Sequence, residues 1–296
     1  MTIGFIGLGN MGSGMATNLL AWCQEQGHRF IVFDINSSAL TPLLEQGAET
    51  TQTVAELACQ VEVLFTSLPG ATQINQLSLG DDGLLKHLPF GSIWFETSTN
   101  ELEQWQMVKA QAPEGLTLVD APVTGGAEGA IAGTLTMLLG IDEPVLMKYE
   151  SMLASFTQKA IRMGPADSGY VSKLCQLHLN YLVAQGIGEA LMLGAKGNLD
   201  LKALHEVLQN SCAQSYVVDS YIPKVLDGSY DPSFSLGLAA KDMRLITELG
   251  KHLGVELVLA DKVYETYQLA TETFGDAAPH LNIIKLLEEK CQRLLR

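Results

Sequence analysis

"IGFIGLGNMGSGM", residues 3–15, sets three glycines, Gly7, Gly9 and Gly12, directly after a short apolar run and at the mouth of a helix-like segment. That order is the G-x-G-x-x-G pattern of a dinucleotide-binding βαβ unit. Gly7 would make the tight turn, and Gly9 would let a pyrophosphate approach the backbone. Gly12 would let strand and helix pack closely, with phosphate resting on the helix N-terminus. Leu8, Asn10 and Met11 complete the loop expected to touch the cofactor. Asp34 closes the next apolar run, "FIVFDIN", where an acid would accept hydrogen bonds from the adenosine ribose and repel the extra phosphate of NADP. No arginine follows it, so NAD is favoured over NADP. The competing role for Asp34 is a cap on the following helix.

Outward from this loop, the first half alternates apolar runs at 3–6, 30–33, 61–66, 93–95, 116–120 and 136–139 with helix-like stretches at 11–23, 39–46, 54–58 and 102–112. Such alternation implies βαβ units and a mainly parallel sheet. After "RMGPADSG" the apolar spacing is helical, at 174–194, 201–209, 241–253 and 261–272. The predicted architecture is an α/β Rossmann-type domain over 1–163, then an all-α C-terminal domain over 164–296, joined by a long interdomain helix. That helix is too apolar to face water and must be covered by the second domain, a partner subunit, or both.

The chain has 296 residues and a formal charge of −15, from 18 Lys and Arg against 33 Asp and Glu. No basic stripe is available to neutralise phosphates, which argues against nucleic acid and against an anionic membrane surface. No apolar run approaches the roughly 20 residues needed to span a bilayer. The five cysteines are scattered, without C-x-x-C or clustered histidines, so neither disulfides nor a metal site is expected. The opening residues lack a basic segment and a cleavage site, and a cytoplasmic setting is expected.

Two further stretches carry chemistry. "VDAPVTGGAEGAIAGTLTMLLG" follows a strand with Gly125 and Gly126, whose exposed N–H groups could form an anion-binding concavity, with the Thr124 hydroxyl as a further donor. A substrate carboxylate is the expected guest; a purely structural loop is the alternative. "SGYVSKLCQLHLN", residues 168–180, sets Lys173 among Val171, Leu174, Cys175, Leu177 and Leu179. Lysine is rarely fully buried without a partner.

Together, "GFIGLGNMGSGMATNL", "DAPVTGGAEGAIAGTLT", "GPADSGYVSKL" and "FSLGLAAKDMRL" resemble, in order and over essentially the whole chain, the β-hydroxyacid dehydrogenase family. The resemblance implies that Lys173 is the catalytic lysine of the interdomain helix and that Thr124, Gly125 and Gly126 hold the substrate carboxylate. It also implies that Leu68 and Pro69 touch the cofactor and that Ser98 and Thr99 lie near the nicotinamide ribose. Phe234 and Lys241 would close over the nicotinamide end. Burial should lower the Lys173 pKa, letting it exchange a proton with the substrate oxygen as hydride moves. Two departures stand out: Asp167 occupies a position usually glycine, and Gln176 replaces the family's asparagine, with Asn180 a turn further on. His178 is expected to be a packing residue; Tyr181, Tyr216, Tyr221 and Tyr230 could line a substrate pocket, with core packing the default for each.

The implied activity is interconversion of a small β-hydroxy acid and its semialdehyde by a homodimer or homotetramer. An NADP-preferring imine or semialdehyde reductase, usually without the lysine, and a non-catalytic dinucleotide-binding module are the alternatives. A 6-phosphogluconate dehydrogenase would need a larger helical domain.

Overall fold

A computed structural model describes all 296 residues. The chain separates into two compact units, Met1–Lys173 and Leu174–Arg296.

The first unit is built on nine strands: β1 (Thr2–Ile6), β2 (Arg29–Phe33), β3 (Glu49–Thr50), β4 (Val63–Thr66), β5 (Ile93–Glu96), β6 (Thr117–Asp120), β7 (Val123–Thr124), β8 (Leu135–Gly140) and β9 (Thr157–Gly164). Their order is β3-β2-β1-β4-β5-β6-β8-β7, with β9 paired to β8. Pairing is parallel from β3 to β6 and again between β8 and β9, whereas β8 runs antiparallel to β6 and β7. Apolar residues on both faces explain the near-continuous hydrophobic runs. On one face Phe5, Phe65 and Phe95 stand in register across β1, β4 and β5, their ring centroids 6.2 and 5.1 Å apart. On the other, Ile6, Leu64 and Trp94 belong to a second core with Leu57, Trp105 and Tyr170.

Three strands depart from the reading above. β3 and β7 are two residues long, and β9 was not expected at all. The stretch read as a glycine loop after β6 is shorter than expected, because β7 and the helix Gly126–Ala132 lie within it. Helices at Ala71–Ser78, Leu84–His87 and Glu143–Leu153 were also missed.

The helix Ser168–Lys196 begins in the first unit and runs on into the second. Within the second unit its residues Leu174, Leu177, Tyr181, Ala184, Ile187 and Leu191, spaced by three and four, form the spine of the core. Around them pack helices Leu201–Gln209, Tyr216–Leu226, Leu236–His252, Val258–Phe274 and Ile283–Cys291. Side-chain oxygens of Asp200, Ser215 and Ser235 cap three of these at their N-termini. The tyrosine expectation fails at one position: Tyr181 and Tyr230 are buried, but Tyr216 is 69% exposed. It opens its helix directly after the Ser215 cap, on the outward side. Leu179 and Leu193 of the long helix are 63% and 76% exposed on this chain.

Candidate active site

The C-terminal ends of β2, β1, β4 and β5 lie side by side, with Phe33, Ile6, Thr66 and Glu96 in register. Successive strands leave β1 in opposite directions, so the crevice here is the topological switch point where α/β sheets bind ligands. The structure brings the predicted nucleotide residues to this one edge. Gly7–Gly12 follows β1, Asp34 follows β2, Leu68 and Pro69 follow β4, and Ser98 and Thr99 follow β5.

The three loop glycines are there for different reasons. Gly7 has φ +93° and its N–H donates to the Phe33 carbonyl at 3.0 Å. A Cβ on Gly12 would strike the Gly7 carbonyl oxygen, so close strand–helix packing demands its absence. A Cβ on Gly9 would meet no protein atom within 4 Å. The fold's own packing therefore does not require glycine at position 9, whereas a pyrophosphate lying against the backbone would. The loop fits a bound dinucleotide on that ground.

Asp34 is half-buried, and its two oxygens accept the N–H groups of Leu8 at 2.6 Å and Asn36 at 2.7 Å. It thus ties the glycine loop to the end of β2, with lone pairs left on each oxygen for hydroxyl donors. It does not cap the next helix: Asn36 does, accepting from the Ser38 N–H at 3.2 Å. At the neighbouring strand end, the Leu68 N–H donates to Ser98 Oγ at 2.7 Å, which fixes the Leu68–Pro69 segment against Ser98.

The Thr124–Gly126 turn has Gly125 and Gly126 at φ +131° and +68°, both exposed. Thr124 pairs with Thr136 of β8. The short helix leaving this turn packs on the helix Gly12–Gln26. Gly14 has no room for a Cβ against the Ala130 backbone, and the Asn18 amide donates to the carbonyls of Ala130 and Ile131 at 2.9 and 3.2 Å. Sequence reasoning missed Gly14 and Asn18. A fourth glycine two residues past the G-x-G-x-x-G was the available signal.

Lys173, 8% exposed, sits in the second turn of the long helix. The start of that helix is held by two buried carboxylates that sequence reasoning also missed. Asp120, at the end of β6, accepts the N–H groups of Asp167, Gly169 and Tyr170 at 2.8, 2.7 and 3.2 Å. These are orphan donors that a helix start must satisfy. Gly169 must be glycine because a Cβ would enter the Asp120 and Leu138 carbonyls. Glu96, at the end of β5, accepts the Tyr170 hydroxyl and the Ser98 hydroxyl. Burial raises both carboxyls, each to about 6, against the opposing pull of these donors.

Asp167, where glycine was usual, has the left-handed φ of +83° that explains the usual residue. An aspartate tolerates that conformation better than most. Here its carboxylate is also clamped, by the Lys109 ammonium and by the Gln106 amide at 2.9 Å.

Gln176, Phe234 and Lys241 belong to the second unit. Gln176 and Lys241 are half-buried; the Lys241 ammonium lies 3.4 Å from Asp242, which also accepts the Tyr181 hydroxyl at 2.8 Å. Asn180 accepts from the Tyr221 hydroxyl at 3.3 Å. Phe234 stands edge-on to His280, centroids 5.6 Å apart, and His280 Nε2 is 3.1 Å from Asp231. His178 is half-buried, and burial lowers its pKa. No group of three or more His, Cys, Asp or Glu is placed to hold a metal ion, and no helix is long and apolar enough to cross a membrane.

Residues 2–164 match the family described as the NAD binding domain of 6-phosphogluconate dehydrogenase. Residues 167–287 match that described as NAD-binding of NADP-dependent 3-hydroxyisobutyrate dehydrogenase. An NAD-dependent L-serine dehydrogenase of Pseudomonas aeruginosa is 32% identical over 298 residues, covering 98% of each chain. A 3-hydroxyisobutyrate dehydrogenase of the same organism is 35% identical over 251 residues, 82% of this chain and 83% of the other. Among solved structures, Mycobacterium tuberculosis 3-hydroxyisobutyrate dehydrogenase with L-serine matches at a TM-score of 0.85 and 26% identity, over 97% of this chain and 98% of that one.

Proposed function

The chain belongs to the β-hydroxyacid dehydrogenase family, and on that premise we propose that it interconverts a small β-hydroxy acid and its semialdehyde, with NAD as cofactor and Lys173 as the general acid/base. That it is an NAD(P)-dependent dehydrogenase acting on CH–OH donors follows from the family itself. The substrate, the preference for NAD and the residue roles are our reading.

The observation that carries the reading is the burial of Lys173 on a helix whose first turn is locked to the nucleotide-binding sheet. When bound, the dinucleotide supplies the hydride acceptor. The chain's part is to hold the substrate and manage its proton. Thr124, Gly125 and Gly126 hold the carboxylate through hydroxyl and backbone N–H donors. The neutral Lys173 amine takes the proton leaving the substrate hydroxyl, and in the reverse direction the ammonium returns it to the carbonyl oxygen. Gln176 supplies the amide that orients that oxygen, and Phe234 and Lys241 cover the nicotinamide end.

Asp34 supports NAD over NADP, since its carboxylate would repel a ribose phosphate; the NAD dependence in the serine dehydrogenase relative's name agrees. L-Serine and 3-hydroxyisobutyrate, named for the relatives, share a hydroxymethyl group next to the carbon bearing the carboxylate, and both belong in the first substrate panel. The exposed Leu179 and Leu193 support a homodimer or homotetramer that covers the long helix. A cytoplasmic setting completes the proposal.

The test is Lys173→Ala assayed by NADH absorbance. Dinucleotide affinity should stay at the wild-type value while turnover falls about 100-fold or more. Comparable turnover in the variant would refute the assigned role.

A further inference from the structure

Glu96 has no part in the reaction just described, yet its carboxylate is wholly buried without a cation beside it. Packing alone does not explain that choice, because an apolar side chain fills such a site at lower cost. Its bonds do. Oε1 accepts from the Ser98 hydroxyl, from the Ser98 N–H at 3.1 Å and from the Thr66 hydroxyl at 3.4 Å. Oε2 accepts from the Tyr170 hydroxyl. Ser98 in turn receives the Leu68 N–H at 2.7 Å. The Tyr170 ring, itself buried, stands edge-on to Trp105, and Trp105 edge-on to Trp94, with centroids 5.8 and 5.2 Å apart. The Trp94 Nε1–H returns to the Thr66 hydroxyl at 2.8 Å and closes the circuit.

One carboxylate thus grips two things with its two oxygens. The first is the strand edge that carries Leu68, Ser98 and Thr99. The second is a tyrosine three residues before Lys173, on an adjacent position of the same helix. We propose that Glu96 is a positioning residue, which sets the Lys173 turn of the helix in fixed register with the Leu68–Ser98 edge on which the nicotinamide end of the dinucleotide would lie. The inference rests on the roles given above to Lys173 and to that edge. Glu96 touches neither substrate nor cofactor; it acts through Tyr170 and Ser98. Misplacement of a reacting group by about 1 Å can cost on the order of 100-fold in rate, which is the leverage available to it.

The test uses the full chain with Glu96→Gln, Tyr170→Phe and the double variant. Glutamine keeps the shape but offers one acceptor where two are needed, and it turns an N–H₂ toward a hydroxyl donor. Three quantities are measured: NADH affinity by fluorescence titration, kcat and KM, and the rate at which an amine-reactive ester acylates Lys173, read by peptide mass spectrometry. Each single variant should lower kcat roughly 10- to 100-fold, with KM and NADH affinity within about threefold of wild type. The double variant should be no slower than the slower single variant, because both break one linkage. Acylation of Lys173 should rise at least about fivefold in each as the turn loosens. Unchanged acylation, additive losses, or a rise in KM at constant kcat would overturn the proposal. Acylation needs no turnover, so a wild-type protein inactive on β-hydroxy acids would sink the functional reading and leave this one decided separately. Should Glu96→Gln not fold, Glu96→Asp, charged but too short to span both partners, is expected to give the same acylation increase, and an unchanged rate there counts against the proposal equally.

Discussion

Asp120→Asn is the sharpest probe of how the helix start is held. Wild-type Asp120 is fully buried, and burial lifts its carboxyl from the usual 3.8 to about 6 despite three backbone N–H donors. A raised pKa means that the fold binds the proton more tightly than the unfolded chain does. The stability Asp120 contributes is therefore fully present below about pH 4 and is lost as pH rises through about 6. A gap of about two units corresponds to roughly 3 kcal/mol. Asparagine cannot ionise, so it escapes that loss. It carries instead a constant penalty of about 1–3 kcal/mol, because its amide can accept from Gly169 and Tyr170 only by turning a donor toward the Asp167 N–H. The variant should be clearly less stable than wild type at pH 4 and close to it, or better, at pH 7.5. Urea unfolding followed by tryptophan fluorescence at four pH values between these limits measures the difference. All three tryptophans, Trp22, Trp94 and Trp105, lie in the first unit. Glu96 titrates in the same window in both proteins and cancels. A stability difference constant to within about 0.5 kcal/mol across the range would refute the reasoning.

Two loop glycines should part company under the same substitution. Gly9→Ala should leave stability within about 0.5 kcal/mol of wild type and weaken NADH binding about tenfold or more. Gly12→Ala should cost about 1–3 kcal/mol of stability through its clash with the Gly7 carbonyl; equal melting points for the two would contradict these roles. Asp34→Ala should lower the NAD-to-NADP ratio of kcat/KM by about tenfold or more, and an unchanged ratio would remove the ribose contact from the picture.

The nucleotide half was readable because its signals are local. Three glycines at fixed offsets, a preceding strand and an acid at the next strand end need no tertiary information. The helical spacing from Leu174 onward is equally local. What escaped depends on partners remote in sequence. β9 has exposed Gln158, Lys159 and Arg162, so its apolar period is too weak to mark a strand; pairing with β8 makes it one. The helix Gly126–Ala132 is glycine-rich and of low intrinsic propensity, and it forms where it can lean on the helix Gly12–Gln26. Glu96 and Asp120 look like ordinary acids at strand ends. Only the topology delivers Tyr170 and the helix start to them.

Asp167 carries a consequence for descent. Its backbone conformation disfavours nearly every side chain, and its carboxylate is tolerated alongside the Lys109 and Gln106 pairing. Both side chains are half-buried, so losing either partner alone would strand a charge, on a strained residue in the one case and on an enclosed lysine in the other. Substitutions at positions 109 and 167 should therefore be coupled, each tolerated better when the other changes with it.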